Sequence, residues 1–158
     1  MMKVVPTFKI LVVDDEATVC DLLIRTGRKL FPQARFISTP SAEQTLAYLD
    51  QDDTSTPDLV LLDLDLQSPI DGLALLPQLH ERFRGQVPVV MLSACQNQRL
   101  VYEAYDKGAV AYTEKPSDLR GWKDYVLSLK SFLNVMAPGL PTDNRYGLST
   151  IVKQWDGR

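Results

Sequence analysis

The chain is poor in several of the residues on which whole classes of site depend. Among 158 residues it has one histidine, His80, and two cysteines, Cys20 and Cys95. A single histidine argues against a metal–histidine centre. The cysteines lie far apart and form no C-x-x-C pair, so reduced thiols in a cytoplasmic setting are the simplest reading. No run approaches the roughly 20 apolar residues that a membrane span needs. The opening MMKVVPTFK leads directly into a strand and lacks the apolar stretch of a signal peptide. The net charge is -3 with no block of like charges, so no nucleic-acid or membrane surface is evident. No internal repeat or low-complexity tract is visible. The remainder is ordinary: 45% hydrophobic and 23% charged residues fit a soluble globular protein, and the length allows one domain with an appendage.

Against that background three carboxylates stand out: Asp14 and Asp15 follow KILVV, and Asp63 follows DLVLL. Apolar runs of this kind are expected to be buried parallel strands, and acidic residues are costly to gather at their tips. Two like charges about 4 Å apart repel by roughly 4 kcal/mol at an effective dielectric near 20. Such a cluster makes sense chiefly around a cation, and a hard divalent ion such as Mg2+ suits oxygen ligands.

Strand and helix periods alternate along the chain. Strands are expected at Lys9–Val13, Arg35–Ser38, Asp58–Asp63, Pro88–Leu92 and Val110–Thr113. The first helix, from Glu16 to Leu30, would turn Val19, Leu22, Leu23, Thr26 and Leu30 inward. Gly27 within it costs about 1 kcal/mol relative to alanine. Ser41 is expected to cap a helix through Leu49 and Asp71 one to Phe83. Asn97–Lys107 forms a helix closed by Gly108, and Ser117 opens a last one reaching Val135. Five such units predict an α/β fold, a doubly wound (βα)5 flavodoxin-like sandwich with a five-stranded parallel sheet. Chemistry in open sheets of this type collects beyond the carboxyl ends of the strands. Asp14, Asp15, Asp63, Ser93 and Lys115 all fall at such ends.

VVDDE, PDLVLLD, MLSA and AYTEKP, in that order, resemble the receiver domain of two-component response regulators, the CheY-like family. The resemblance covers roughly residues 9–135 and implies a receiver domain over 1–136. It implies that Asp63 accepts a phosphoryl group from the phosphohistidine of a histidine kinase or phosphotransfer protein. Asp14, Asp15, Asp63 and the backbone carbonyl of Asp65 would then hold Mg2+. Ser93 would donate to one phosphoryl oxygen and Lys115 would pair with another. Tyr112 matches the aromatic switch that, with Ser93, remodels the face formed by helix four, strand five and helix five for a downstream protein target. Pro116 matches a family position preceded by a cis peptide, although X–Pro bonds on their own favour trans. Taken alone, Asp15 would be a helix cap, Ser93 a loop hydroxyl and Tyr112 core. His80 is expected on an exposed helix face and Cys95 as a small buried residue. The lone histidine argues against a kinase or phosphotransfer domain.

Two departures from the family pattern concern the loop after Asp63. Pro69 comes six residues after the acceptor rather than four, and Asp65 adds a carboxylate expected to tune phosphoryl lifetime or metal affinity. The stretch from SACQNQ to WKDYVLSLKSFL is similar to single-domain regulators that partner phytochrome-type kinases, implying a homodimer through helix four, strand five and helix five. Residues 137–158 are read as a linker followed by a short amphipathic extension, with Leu148, Ile151, Val152 and Trp155 on one stripe. Its cations, Arg145, Lys153 and Arg158, make no evident DNA-binding module. The alternatives are a pseudo-receiver that binds partners without phosphorylation, the receiver fragment of a longer regulator, and a dehalogenase-like phosphatase built on Asp63-Leu64-Asp65. The last is disfavoured because Gln67 stands where that family has a threonine.

Overall fold

Apolar strands alternating in side-chain direction, each followed by an amphipathic helix, organise the chain into two packed layers around a sheet. The computed structural model describes residues 7–67, 69–94 and 96–136. Cys95 and the stripe Leu148, Ile151, Val152 and Trp155 lie outside them. In chain order the elements are β1 Phe8–Val13, α1 Ala17–Leu30, β2 Ala34–Thr39, α2 Ala42–Leu49, β3 Leu59–Asp63, α3 Gly72–Arg82, β4 Val89–Ser93, α4 Gln98–Asp106, β5 Ala111–Glu114 and α5 Leu119–Val135. All strand pairings are parallel, in the order β2-β1-β3-β4-β5, which is the expected doubly wound sheet. Among the described residues no helix is long and apolar enough to cross a membrane.

The two-residue strand period divides the core. Ile10, Val12, Leu59, Leu61, Val90 and Leu92 pack with α1 and α5, through Leu23, Val126 and Leu129. Their neighbours Leu11, Val13, Val60, Leu62, Val89 and Met91 face α3 and α4, through Leu75, Leu76, Leu79 and Ala104. Both faces are covered, so the central strands are apolar throughout rather than alternating.

Sequence chemistry accounts for most helix boundaries. Ser41, Asp71 and Asn97 each occupy an N-cap, and their side chains accept from Gln44, Ala74 and Arg99 N–H respectively. The last helix differs from expectation: it is capped by Asp118, not Ser117, with Asp118 Oδ1 accepting from Gly121 N–H at 2.7 Å. A carboxylate both satisfies the free N–H and complements the positive helix end, so it prevails over the hydroxyl one residue earlier. In α1 the expected stripe holds, with Val19, Leu23 and Thr26 buried, Leu22 and Leu30 partly buried, and Cys20 and Gly27 also buried. Gly27 has a packing reason: a β-carbon there would overlap the Phe36 ring of β2, so glycine lets helix and strand approach.

Candidate functional site

Strand order reverses around β1, which lies between β2 and β3, and the site forms at the carboxyl ends beside that point. Register sets its geometry. Val13 pairs with Leu62 and Asp63 with Leu92, so Asp14 and Asp63 emerge at one height. Ser93 lies one strand away, paired with Glu114, and its carbonyl accepts from Lys115 N–H at 2.7 Å. Behind Asp63, a β-carbon at Gly72 would overlap the Asp63 carbonyl oxygen. Glycine therefore lets the start of α3 close on the β3 tip.

Asp14 and Asp63 are each 2% exposed and Ser93 is fully buried. The Lys115 ammonium lies 3.0 Å from Asp14 Oδ2, 2.9 Å from Glu16 Oε1 and 3.4 Å from Asp63 Oδ2. One cation is thus shared by three anions. Ligand oxygens of Asp14, Glu16 and Asp63 all lie within 4.8 Å of one another. Asp14 Oδ1 accepts from Glu16 N–H at 2.8 Å, and Asp63 Oδ1 accepts from Asp65 N–H at 3.1 Å.

Charge crowding appears in the protonation equilibria. Burial, followed by the Asp14 charge, raises Asp63 from 3.8 to about 6, despite the opposing pull of Lys115. Burial alone would lower Lys115, but its bonds to Glu16 and Asp14 and the fields of Asp14 and Asp63 outweigh this and hold it above the usual lysine value. Burial and the Asp14 field push the nearby Cys20 thiol up to about 11, which leaves it protonated and unreactive.

The structure brings together Asp14, Asp63, Ser93 and Lys115 from the expected set. Asp15 lies outside the close group: it is exposed, and its Oδ2 accepts from Gln67 N–H at 3.1 Å, pinning the loop after β3. Asp65 is exposed as well. Glu16, expected only as a helix start, supplies the third carboxylate. Its adjacency to Asp14 and Asp15 was the one available signal. The Lys115–Pro116 peptide is trans, not the cis form that the resemblance implied. Tyr112 is directed inward at 4% exposure, and its backbone N–H donates to the Tyr105 hydroxyl at 3.2 Å. Thr113, also not anticipated, donates through Oγ1 to the Met91 carbonyl at 2.7 Å and lies 2.9 Å from the Tyr125 hydroxyl. That contact joins β4, β5 and α5 beneath the site.

The donor chemistry suits a divalent cation. Asp14 Oδ2 is buried, and its one close polar contact among the described residues is the Lys115 ammonium at 3.0 Å, which it shares with Glu16 and Asp63. An under-satisfied hard oxygen beside two further carboxylates is the kind of set that Mg2+ binds.

Comparison with known proteins agrees with this geometry. The model for the response regulator receiver domain matches residues 10–126. The DNA-binding transcriptional regulator NtrC of Klebsiella pneumoniae is 34% identical over 110 residues, covering 68% of this chain and 22% of NtrC. The chain spans less than half the length of the curated relatives it matches. The phosphorylated cyanobacterial phytochrome response regulator RcpA superposes with a TM-score of 0.73 at 25% identity, over 82% of this chain and 96% of RcpA. A response regulator receiver domain from Rhodospirillum rubrum gives 0.70 at 28% identity, over 82% and 95% of the two chains.

Proposed function

Because this chain belongs to the response regulator receiver domain family, we propose that it is a phosphorylation-controlled switch whose phosphoacceptor is Asp63. Receiver domains are signalling proteins of two-component systems rather than classical enzymes, and they bind Mg2+ at an acidic pocket. The observation that carries the proposal for this chain is the buried Asp63 carboxylate flanked by Asp14 and the Lys115 ammonium, with Ser93 on the adjacent strand.

In the proposed reaction an Asp63 oxygen attacks the phosphorus of a phosphohistidine on a kinase or phosphotransfer protein. The P–N bond breaks, its electron pair returns to the imidazole nitrogen, which takes up a proton, and an acyl phosphate forms on Asp63. Asp14 and Asp63 are the residues that would hold Mg2+, together with Asp15 or Glu16 and the Asp65 carbonyl. The ion supplies neutralisation of phosphoryl charge. Lys115 neutralises a further oxygen, and Ser93 donates a hydrogen bond to another. Such a site acts by positioning and charge compensation rather than covalent machinery. Without metal, burial and the Asp14 charge hold the Asp63 carboxyl above the ordinary aspartate value, and a bound divalent cation would favour its ionised, nucleophilic form.

The output is protein binding. Phosphorylation draws Ser93 toward the phosphoryl group and couples to Tyr112, altering the face made by α4, β5 and α5. Support comes from exposed apolar side chains on the two helices, Tyr102 and Tyr105 on α4 and Leu119 and Leu127 on α5, which suit a downstream target or a second copy of the chain. A second reading, the receiver part of a longer regulator, is favoured by the short share of its relatives' length that the chain spans. Asp65 is placed by its sequence position to tune phosphoryl lifetime. The setting of all this is the cytoplasm, where such kinases present phosphohistidine.

Acetyl phosphate with Mg2+ tests the reading. The protein should gain one phosphate by intact mass spectrometry, and Asp63→Asn should gain none. A wild-type protein that stays unmodified and does not bind beryllofluoride would be a pseudo-receiver. Catalytic turnover of a phosphate ester would place it among phosphatases.

A further inference from the structure

Of the helices whose start is described, α1 alone has an N-cap side chain that does not cap. Ser41, Asp71, Asn97 and Asp118 each accept a hydrogen bond from their own helix, whereas Glu16 makes none. A serine or aspartate there would cap the helix, a stabilisation that glutamate forgoes. Its carboxylate is used elsewhere. Although 57% exposed, the Glu16 side chain reaches back over the site mouth and accepts from Lys115 Nζ at 2.9 Å, while its backbone N–H holds Asp14 Oδ1. The ammonium therefore sits closer to Glu16 than to Asp63, at 3.4 Å.

We infer that Glu16 is a positioning residue that holds Lys115 toward the site mouth and restrains it from engaging a phosphoryl group on Asp63. The inference rests on the reading of Asp63 as phosphoacceptor. A phosphoryl group carries a charge of about -1.5 to -2. To pair with it, Lys115 must leave Glu16, whose own negative charge then faces the newcomer. Both effects oppose phosphoryl occupancy. Toward a divalent cation the same charge acts in the opposite direction, because a third carboxylate within 4.8 Å of Asp14 and Asp63 oxygens adds attraction. Glu16 thus sets a balance: it favours the metal and disfavours the phosphoryl group.

That opposition in sign is the test. Mg2+ affinity is measured by titration calorimetry on the full chain, and beryllofluoride affinity at saturating Mg2+ by tryptophan fluorescence. Glu16→Gln should bind Mg2+ about threefold more weakly and beryllofluoride about threefold more tightly, magnitudes in keeping with a partly exposed ion pair. Both changes should shrink in high salt. Glu114→Gln, which removes an exposed carboxylate beside Lys115 in sequence but outside the cluster, should alter neither. A merely structural role for Glu16 would lower both affinities together, and that result, or no change in beryllofluoride binding, overturns the inference. Failure of the wild-type protein to bind beryllofluoride would instead overturn the phosphoacceptor reading and this inference with it.

Discussion

Lys115 Nζ lies 2.9 Å from Glu16 Oε1 and 3.4 Å from Asp63 Oδ2, so a nearly buried ammonium is closer to an exposed carboxylate than to the buried one beside it. One positive charge cannot neutralise Asp14, Glu16 and Asp63 together. Burial, and after it the Asp14 charge, raises Asp63, and the excess negative charge suits the pocket to a further cation.

The raised Asp63 has a stability cost whose sign can be checked. Its folded value, about 6, exceeds the ordinary 3.8, so between these values the folded state binds more protons than the unfolded one. Metal-free stability from this group is therefore fully present below about pH 4 and is lost as pH rises through 6. Asp63→Asn should stabilise the metal-free protein at pH 7 by about 1 to 3 kcal/mol, with the gain vanishing near pH 4. Urea unfolding of both proteins at the two pH values checks this, and a gain independent of pH would contradict it.

The contact between Gly27 and Phe36 makes a second prediction. On an open helix surface Gly→Ala is worth about 1 kcal/mol of stability. At Gly27 the added methyl group meets the Phe36 ring, so Gly27→Ala should instead destabilise by about 1 to 3 kcal/mol. Adding Phe36→Leu should recover part of that loss. A double-mutant cycle on denaturation midpoints reads the coupling directly.

The Tyr105 hydroxyl accepts from Tyr112 N–H on β5, one of the two edge strands of the sheet. Tyr105→Phe removes that acceptor and should cost about 1 kcal/mol. Hydrogen exchange at the Tyr112 amide should accelerate by up to about fivefold, while amides in β1 and β3 remain as protected as before. Equal acceleration throughout the sheet would indicate global destabilisation instead.

Much of this was legible in the chain. Buried parallel strands announce themselves by apolar composition, so all five appeared within a residue or so of their observed ends. Ser41 and Asp71 signalled their helices because capping is a local interaction, whereas Asn97, expected inside α4, is its N-cap. Ser117 and Asp118 are adjacent candidate caps, and the pattern of residues does not separate them; in the structure Asp118 caps α5. Gly27 was legible only as a local cost. Its compensation is Phe36, on another element, which no helical propensity reveals.

The sequence by itself determined the doubly wound sheet and the convergence of Asp14, Asp63, Ser93 and Lys115, because strand composition and strand-end position are local properties that topology then gathers. Only the tertiary structure decided which acidic residues after β1 share the ammonium. Asp15 bonds to Gln67 N–H, 52 residues away, and that long-range contact turns it outward. Glu16, one residue on, points to Lys115, 99 residues away. Side-chain direction in the turn after β1 is set by those distant partners, and no pattern within DDE encodes it.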